Sequence, residues 1–167
     1  YLFVDKVIAS PVMNTAITKD TRYAPRMKSS LLALPSVSII VPGQPGYEEQ
    51  EGSVEILWPD GSPAAQVNCG VSRFGGSYQE FAKKSFRIQC HAKLGATRLK
   101  VPLFNGFDHG VTPATSFDEL EFRSGSQDMV DRGFYVAGSF VQDSMMDLGD
   151  LNPHSRYVHL YLNGVYW

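Results

Sequence analysis

The sequence predicts an α+β fold: a mostly antiparallel sheet with one long amphipathic helix packed on it. Three observations carry this. Short β-branched and aromatic runs are punctuated by Pro, Gly and Asp-Gly turn signals, the pattern of antiparallel hairpins. One stretch, 129–148, changes to an apolar period of three to four residues. Strands precede and follow that stretch instead of alternating with helices, which argues against a repeated βαβ architecture.

Taken in order, 1–35 is expected to be a lead-in segment ending a preceding module, and 36–167 a single domain. The run Tyr1-Leu2-Phe3-Val4 reads as strand-like. Residues 24–34 read as a short helix, with Pro25 in its first turn and Pro35 just beyond its end. Residues 37–41 form a β-branched strand closed by Pro42-Gly43, and the polar segment 43–52 is a loop. A hairpin follows, with strands 54–58 and 65–71 joined by a turn on Pro59-Asp60-Gly61. Further extended segments are expected at 85–91, 99–104 and 117–123. In the helix, Val130, Phe134, Ala137, Val141, Met145 and Leu148 make one apolar face, and Gly149 ends it. Gly133 and Gly138 inside it each cost about 1 kcal/mol relative to alanine. The strand 156–162 closes the pattern.

Composition narrows the function. Fifteen basic against seventeen acidic residues leave a net charge of −2, which supplies no field for nucleic acid or an acidic membrane. No apolar run approaches the roughly 20 residues of a membrane-spanning helix. Cys69 and Cys90 are too few for a disulfide framework, and each lies among apolar residues, where a thiol packs as a small hydrophobe. The first residue is Tyr, and the last strand turns at Asn163-Gly164 and has barely begun its return at Trp167. A fragment of a longer protein is the expectation.

Chemistry concentrates between Asn68 and Cys90, where a strand enters Arg73-Phe74-Gly75-Gly76-Ser77 and returns through Lys83-Lys84-Ser85-Phe86-Arg87-Ile88-Gln89. Glycine lets backbone N–H groups approach a phosphate and lysine supplies charge. A plain hairpin with an exposed basic end has the same pattern. Strand alternation groups Lys83, Ser85, Arg87 and Gln89 on a polar face and Lys84, Phe86, Ile88 and Cys90 on the core face. On the preceding strand, Val67, Cys69 and Val71 point inward. Pairing of the two strands would gather Asn68, Ser72, Lys83, Ser85 and Arg87 beside Gly75-Gly76, which favours Lys83 over Lys84 as the ligand-facing lysine.

Elsewhere the signals are weaker. His91, His109, His154 and His159 lack metal-ligand spacing, and His159 suits a hydrogen-bonded, half-buried role. Asp143, Asp147 and Asp150 read as a solvated helix end, without the ordered ligands of a calcium loop. Tyr157, Tyr161 and Tyr166 suit sheet packing or an aromatic binding strip.

The segment Gly75-Gly76-Ser77, then Lys83-Lys84-Ser85-Phe86-Arg87, then Leu94-Gly95 and Leu99-Lys100-Val101-Pro102-Leu103-Phe104, resembles the CotH (spore-coat protein H) kinase family. Glu121-Phe122-Arg123 through Asp128 and Arg132 is similar to that family's positions before its helix. Tyr161-Leu162-Asn163-Gly164-Val165-Tyr166-Trp167 is similar to its Tyr-Leu-Asn-Gly-x-Tyr-Trp strand. Leu94 stands where the family usually has Tyr, Phe122 where it has Leu, and Phe74 where it tends to carry a polar residue. The resemblance spans roughly 30–167, and the order of four motifs is more specific than any one.

The resemblance implies the N-terminal half of an atypical, protein-kinase-like fold that binds ATP with Mg2+ and phosphorylates Ser or Thr of a protein substrate. Gly75, Gly76 and Ser77 would lie near the phosphates and Lys83 would neutralise them, with Ser85 on the same polar face. Arg87 and Arg123 would serve phosphate contact or structural ion pairing. The family's metal-binding carboxylates lie downstream of Trp167, so the catalytic residues fall outside this chain. A bacterial extracellular, cell-surface or spore-surface protein is the implied setting. The other expectation is a non-catalytic adhesion or coat-assembly module on the same fold, within a larger secreted protein.

Overall fold

The computed structural model describes residues 3–75, 81–126, 128, 133 and 135–167. Among them, alternating apolar residues build a seven-stranded sheet: β1 (Ser36–Ile40), β2 (Gln50–Leu57), β3 (Ala65–Phe74), β4 (Ser85–Gln89), β7 (Glu119–Phe122), β8 (His159–Leu162) and β9 (Val165–Tyr166). Their spatial order is β7-β4-β3-β2-β1-β8-β9. Every neighbouring pair is antiparallel except β1 and β8. A separate two-stranded ladder joins β5 (Leu99–Lys100) to β6 (Ser116–Phe117). Strand 99–104 is thus shorter than its apolar run suggests, because Pro102 has no N–H to give a ladder.

The register explains the core. Leu162, Ile39, Val54 and Val67 stand opposite one another across four strands, as do Leu160, Val37, Ile56 and Ala65. Val71 faces Ile88, which faces Leu120. Val37, Ile39, Val54, Ile56, Cys69, Val71, Phe86 and Ile88 are completely or almost completely buried on this one face. Burying each such side chain contributes about 1.5–3 kcal/mol. The expected inward set of β3 and the alternation from Ser85 to Gln89 both hold.

Local chemistry sets the turns. The β2–β3 hairpin turns where Asp60 Oδ1 accepts the Ser62 N–H at 2.9 Å and Gly61 adopts φ +76°. Between β8 and β9, Asn163 and Gly164 both have positive φ, as an Asn-Gly hairpin requires. The Asn163 side chain adds two bonds there: Oδ1 accepts the Val41 N–H and Nδ2 donates to the Gly43 carbonyl, each at 2.9 Å.

Short α-helices accompany the sheet among the described residues. Val4 begins α1 (Val4–Ile8), so the strand reading of the first residues fails where they are described, and α2 (Thr15–Thr18) follows. A 3-10 turn (Ala24–Arg26) runs into α3 (Met27–Leu31), matching the helix expected around Pro25. Val4 and Leu31 are buried, and Lys28 pairs with Asp5 at 3.3 Å across the two helices.

The long helix expected over 129–148 is corrected. Residues 129–132 and 134 lie outside the described ones; the described helix is α4 (Ala137–Asp147). Gly133 takes φ +75°, a left-handed value that a continuous α-helix does not admit. Nor does the expected apolar face pack on the sheet: Val141 and Leu148 are 57% and 81% exposed, and Met146, off that face, is the buried residue. Polar contacts hold the helix instead. Ser139 Oγ meets Tyr157 Oη at 2.8 Å, and His109 reaches Asp143 and Asp147 at 3.5 and 3.1 Å. Its end is as expected: the N–H groups of Gly149 and Asp150 return to the carbonyls of Met146 and Met145, with Gly149 at φ +94°.

Candidate functional site

The sheet curls until its ends approach. Trp167, just past β9, donates its indole N–H to the Lys84 carbonyl at 3.0 Å and lies 5.3 Å from the Phe86 ring on β4. Between the β7 and β8–β9 ends opens a cleft of about 800 Å3, within the roughly 300–1,000 Å3 range of small-molecule sites. Lys83, Lys84 and Arg123 line it, as do Phe122, Tyr166 and Trp167.

Lys83 precedes β4 and remains exposed overall, yet its ammonium sits against enough protein for desolvation to push it below the ordinary lysine value. Its backbone is fixed, because the Ser126 hydroxyl donates to the Lys83 carbonyl at 3.0 Å. Ser85 belongs to the same network: Oγ accepts the Ser124 N–H at 3.0 Å and lies 3.3 Å from Ser124 Oγ, which meets Ser126 Oγ at 2.8 Å. Serines 85, 124 and 126 therefore pin the start of β4 to the segment after β7. Lys83 and Lys84 both reach the cleft, although alternation separates them onto opposite strand faces; Lys83 lies before the regular ladder begins.

Arg87 does not line the cleft. Its Nη2 donates to Glu121 Oε1 at 2.8 Å, and Nε stands 3.1 Å from Glu119 Oε1 without the alignment of a hydrogen bond. Phe74 packs its ring 4.8 Å from the guanidinium. The bond to Glu121, reinforced by both carboxylate charges, raises Arg87 above its ordinary value. Of the two roles open to Arg87, the geometry matches structural ion pairing.

Arg123 and Asp128 converge on the first turn of α4. A methyl built on Gly138 would lie 3.2 Å from Asp128 Oδ2 and 3.4 Å from Arg123 Nη1, so the missing side chain is what lets the helix approach them. Asp128 is buried at 5% exposure and, like Gly138, lines the cleft. Gly75 closes β3 with φ +106° and has open space around it; Gly76 and Ser77 lie outside the described residues.

Two cleft residues were not singled out by the sequence. Arg156 lies 5.3 Å from each of the Trp58 and Phe107 rings and donates to the Leu103 carbonyl at 3.0 Å, with burial lowering its pKa. Trp167 appeared only within a strand motif; its closing role depends on a contact far along the chain. His159 is half-buried and hydrogen-bonded: Nε2 donates to the Ser30 carbonyl and Nδ1 accepts from the Tyr166 hydroxyl, each at 3.0 Å. This ties the lead-in to β8. Tyr161 and Tyr166 pack edge to face at 5.3 Å.

Among the described residues no group of three or more His, Cys, Asp or Glu side chains could hold a metal ion, and no helix is long and apolar enough to cross a membrane. Comparison with family models, curated proteins and solved structures finds no match to the chain.

Proposed function

We propose that the cleft binds ATP and that the chain is the nucleotide-binding portion of a CotH-like atypical protein kinase, which passes phosphate to Ser or Thr of a protein substrate. The observation that carries this reading is the cleft's lining, where Lys83, Lys84 and Arg123 stand with the rings of Phe122, Tyr166 and Trp167, and the carboxylates of Glu119, Glu121 and Asp128 share the wall. Protein-kinase catalysis is mainly positioning and electrostatic stabilisation, so lysine and arginine side chains beside aromatic ones fit the nucleotide half of the work. Burial lowers the Lys83 pKa, and an arriving anion would offset that desolvation by favouring the protonated form. Magnesium, when bound, would neutralise phosphate charge and enter on the nucleotide; the carboxylates that complete its site are those the family resemblance assigns downstream.

Isothermal titration with ATP and Mg2+ tests this. Saturable binding that Lys83→Ala weakens at least about tenfold, the loss of roughly 1.4 kcal/mol from one charge-assisted contact, is expected. Equal affinity in the variant would refute the lysine's role.

One observation favours the non-catalytic assembly reading. Phe140, Val141, Leu148 and Leu151 leave an open apolar face on and after α4, and such faces mark protein contacts when contiguous. Concentration-dependent association lost in Phe140→Ser, together with no nucleotide binding, would favour it.

A further inference from the structure

The β3–β4 register ends with Gly70 opposite Gln89, so one further step brings Cys69 opposite Cys90. Both side chains enter the same buried core. The Cys90 N–H is committed to the Asp118 carbonyl at 2.7 Å on the β7 side, so it does not point toward β3. Continued by that step, the register puts the two cysteines at a non-hydrogen-bonded cross-strand position, the closer kind, where Cα atoms of a regular ladder lie about 4.5 Å apart. A disulfide spans Cα separations of about 4.4–6.8 Å. Both cysteines are free and buried.

We propose that Cys69 and Cys90 are a redox pair that forms a cross-strand disulfide with a small-molecule disulfide as oxidant. Cys90, at 8% exposure against 0% for Cys69, is the point of entry. Its thiolate attacks one sulfur of oxidised glutathione, expels a glutathione thiolate and leaves a mixed disulfide. The Cys69 thiolate then attacks the Cys90 sulfur and releases the second glutathione. Two protein thiols are oxidised, one glutathione disulfide is reduced to two thiols, and the cysteine protons pass to the departing thiolates. Burial holds both protein thiols above their ordinary pKa, so exchange on the folded protein is slow. The bridge would lock together the two strands that flank Gly75 and Lys83.

The test is to incubate the folded chain with oxidised glutathione, then alkylate in denaturant and map peptides without reductant. Loss of both alkylatable thiols, a Cys69–Cys90 linked peptide, an unchanged far-UV spectrum and reversal by dithiothreitol are expected. The wild-type measurement does not depend on any variant folding; Cys69→Ala should, in addition, leave glutathione on Cys90. Free thiols after incubation, a wild-type product carrying glutathione on Cys90 without the link, or a link that forms only in denaturant would overturn the proposal.

Discussion

The indole N–H of Trp167 donates to the Lys84 carbonyl at 3.0 Å, joining residues 83 apart and fastening one end of the curled sheet to the other. Trp167, Lys83 and Lys84 all line the cleft beside this bond. Trp167→Phe keeps a ring against Phe86 but removes the donor, and should cost about 1 kcal/mol. Trp167→Ala also loses the ring contact and should cost about 2–4 kcal/mol. Urea unfolding of the two variants separates the terms; equal costs would show that the ring contact is immaterial, and a Trp167→Phe variant as stable as the wild type would show that the hydrogen bond is.

Gly138 is the point where α4 meets Arg123 and Asp128. Replacing a helical glycine by alanine ordinarily stabilises by about 1 kcal/mol. At this position the new methyl would press within 3.2 Å of Asp128 Oδ2, against a buried carboxylate. Thermal unfolding of Gly138→Ala should therefore show no gain, or a loss. A full propensity gain would mean that the helix is not held against this pair.

Alkaline stability should report the buried thiol. Burial, with Cys90 and Glu49 adding repulsion, pushes Cys69 from 9.0 to about 12. The folded state then keeps a proton that the unfolded chain gives up above 9.0, so the stabilisation is complete below that value and is lost as pH rises toward 12. Tyr161 adds a decline in the same direction that begins higher, near its ordinary 10.0. Denaturant unfolding across this window should fall with pH, and Cys69→Ala should reduce the earlier part of the fall, with Cys90 keeping a share of it. An unchanged slope in the variant would show that another group governs the transition.

The sequence was most legible where the physics is local. Alternation sorted Phe86 and Ile88 from Ser85 and Arg87, and Asp60-Gly61 and Asn163-Gly164 announced their hairpins, because side-chain parity and positive φ are properties of a few adjacent residues. The helix over 129–148 was overextended for the converse reason. Periodicity identifies a possible apolar face, but whether a sheet covers Val141 and Leu148 depends on partners elsewhere, and Gly133 adopts a conformation that breaks the run. At the site, strand parity pointed to Lys83, while Arg123 was named only through the family resemblance. Parity set Lys84 aside, yet it reaches the same cleft, because the rule holds only inside the ladder and the lysines precede it. Neither the carboxylates that absorb Arg87 nor the clasp of Trp167 is visible before distant strands are brought together.

Chemical-shift mapping of the isotope-labelled chain, titrated with ATP and Mg2+, tests the nucleotide cleft most directly. Saturable shifts concentrated on Lys83, Lys84, Arg123, Ser124 and the Trp167 indole are the predicted result. A saturable response centred on the outer face of α4, or none at these residues, would contradict the account.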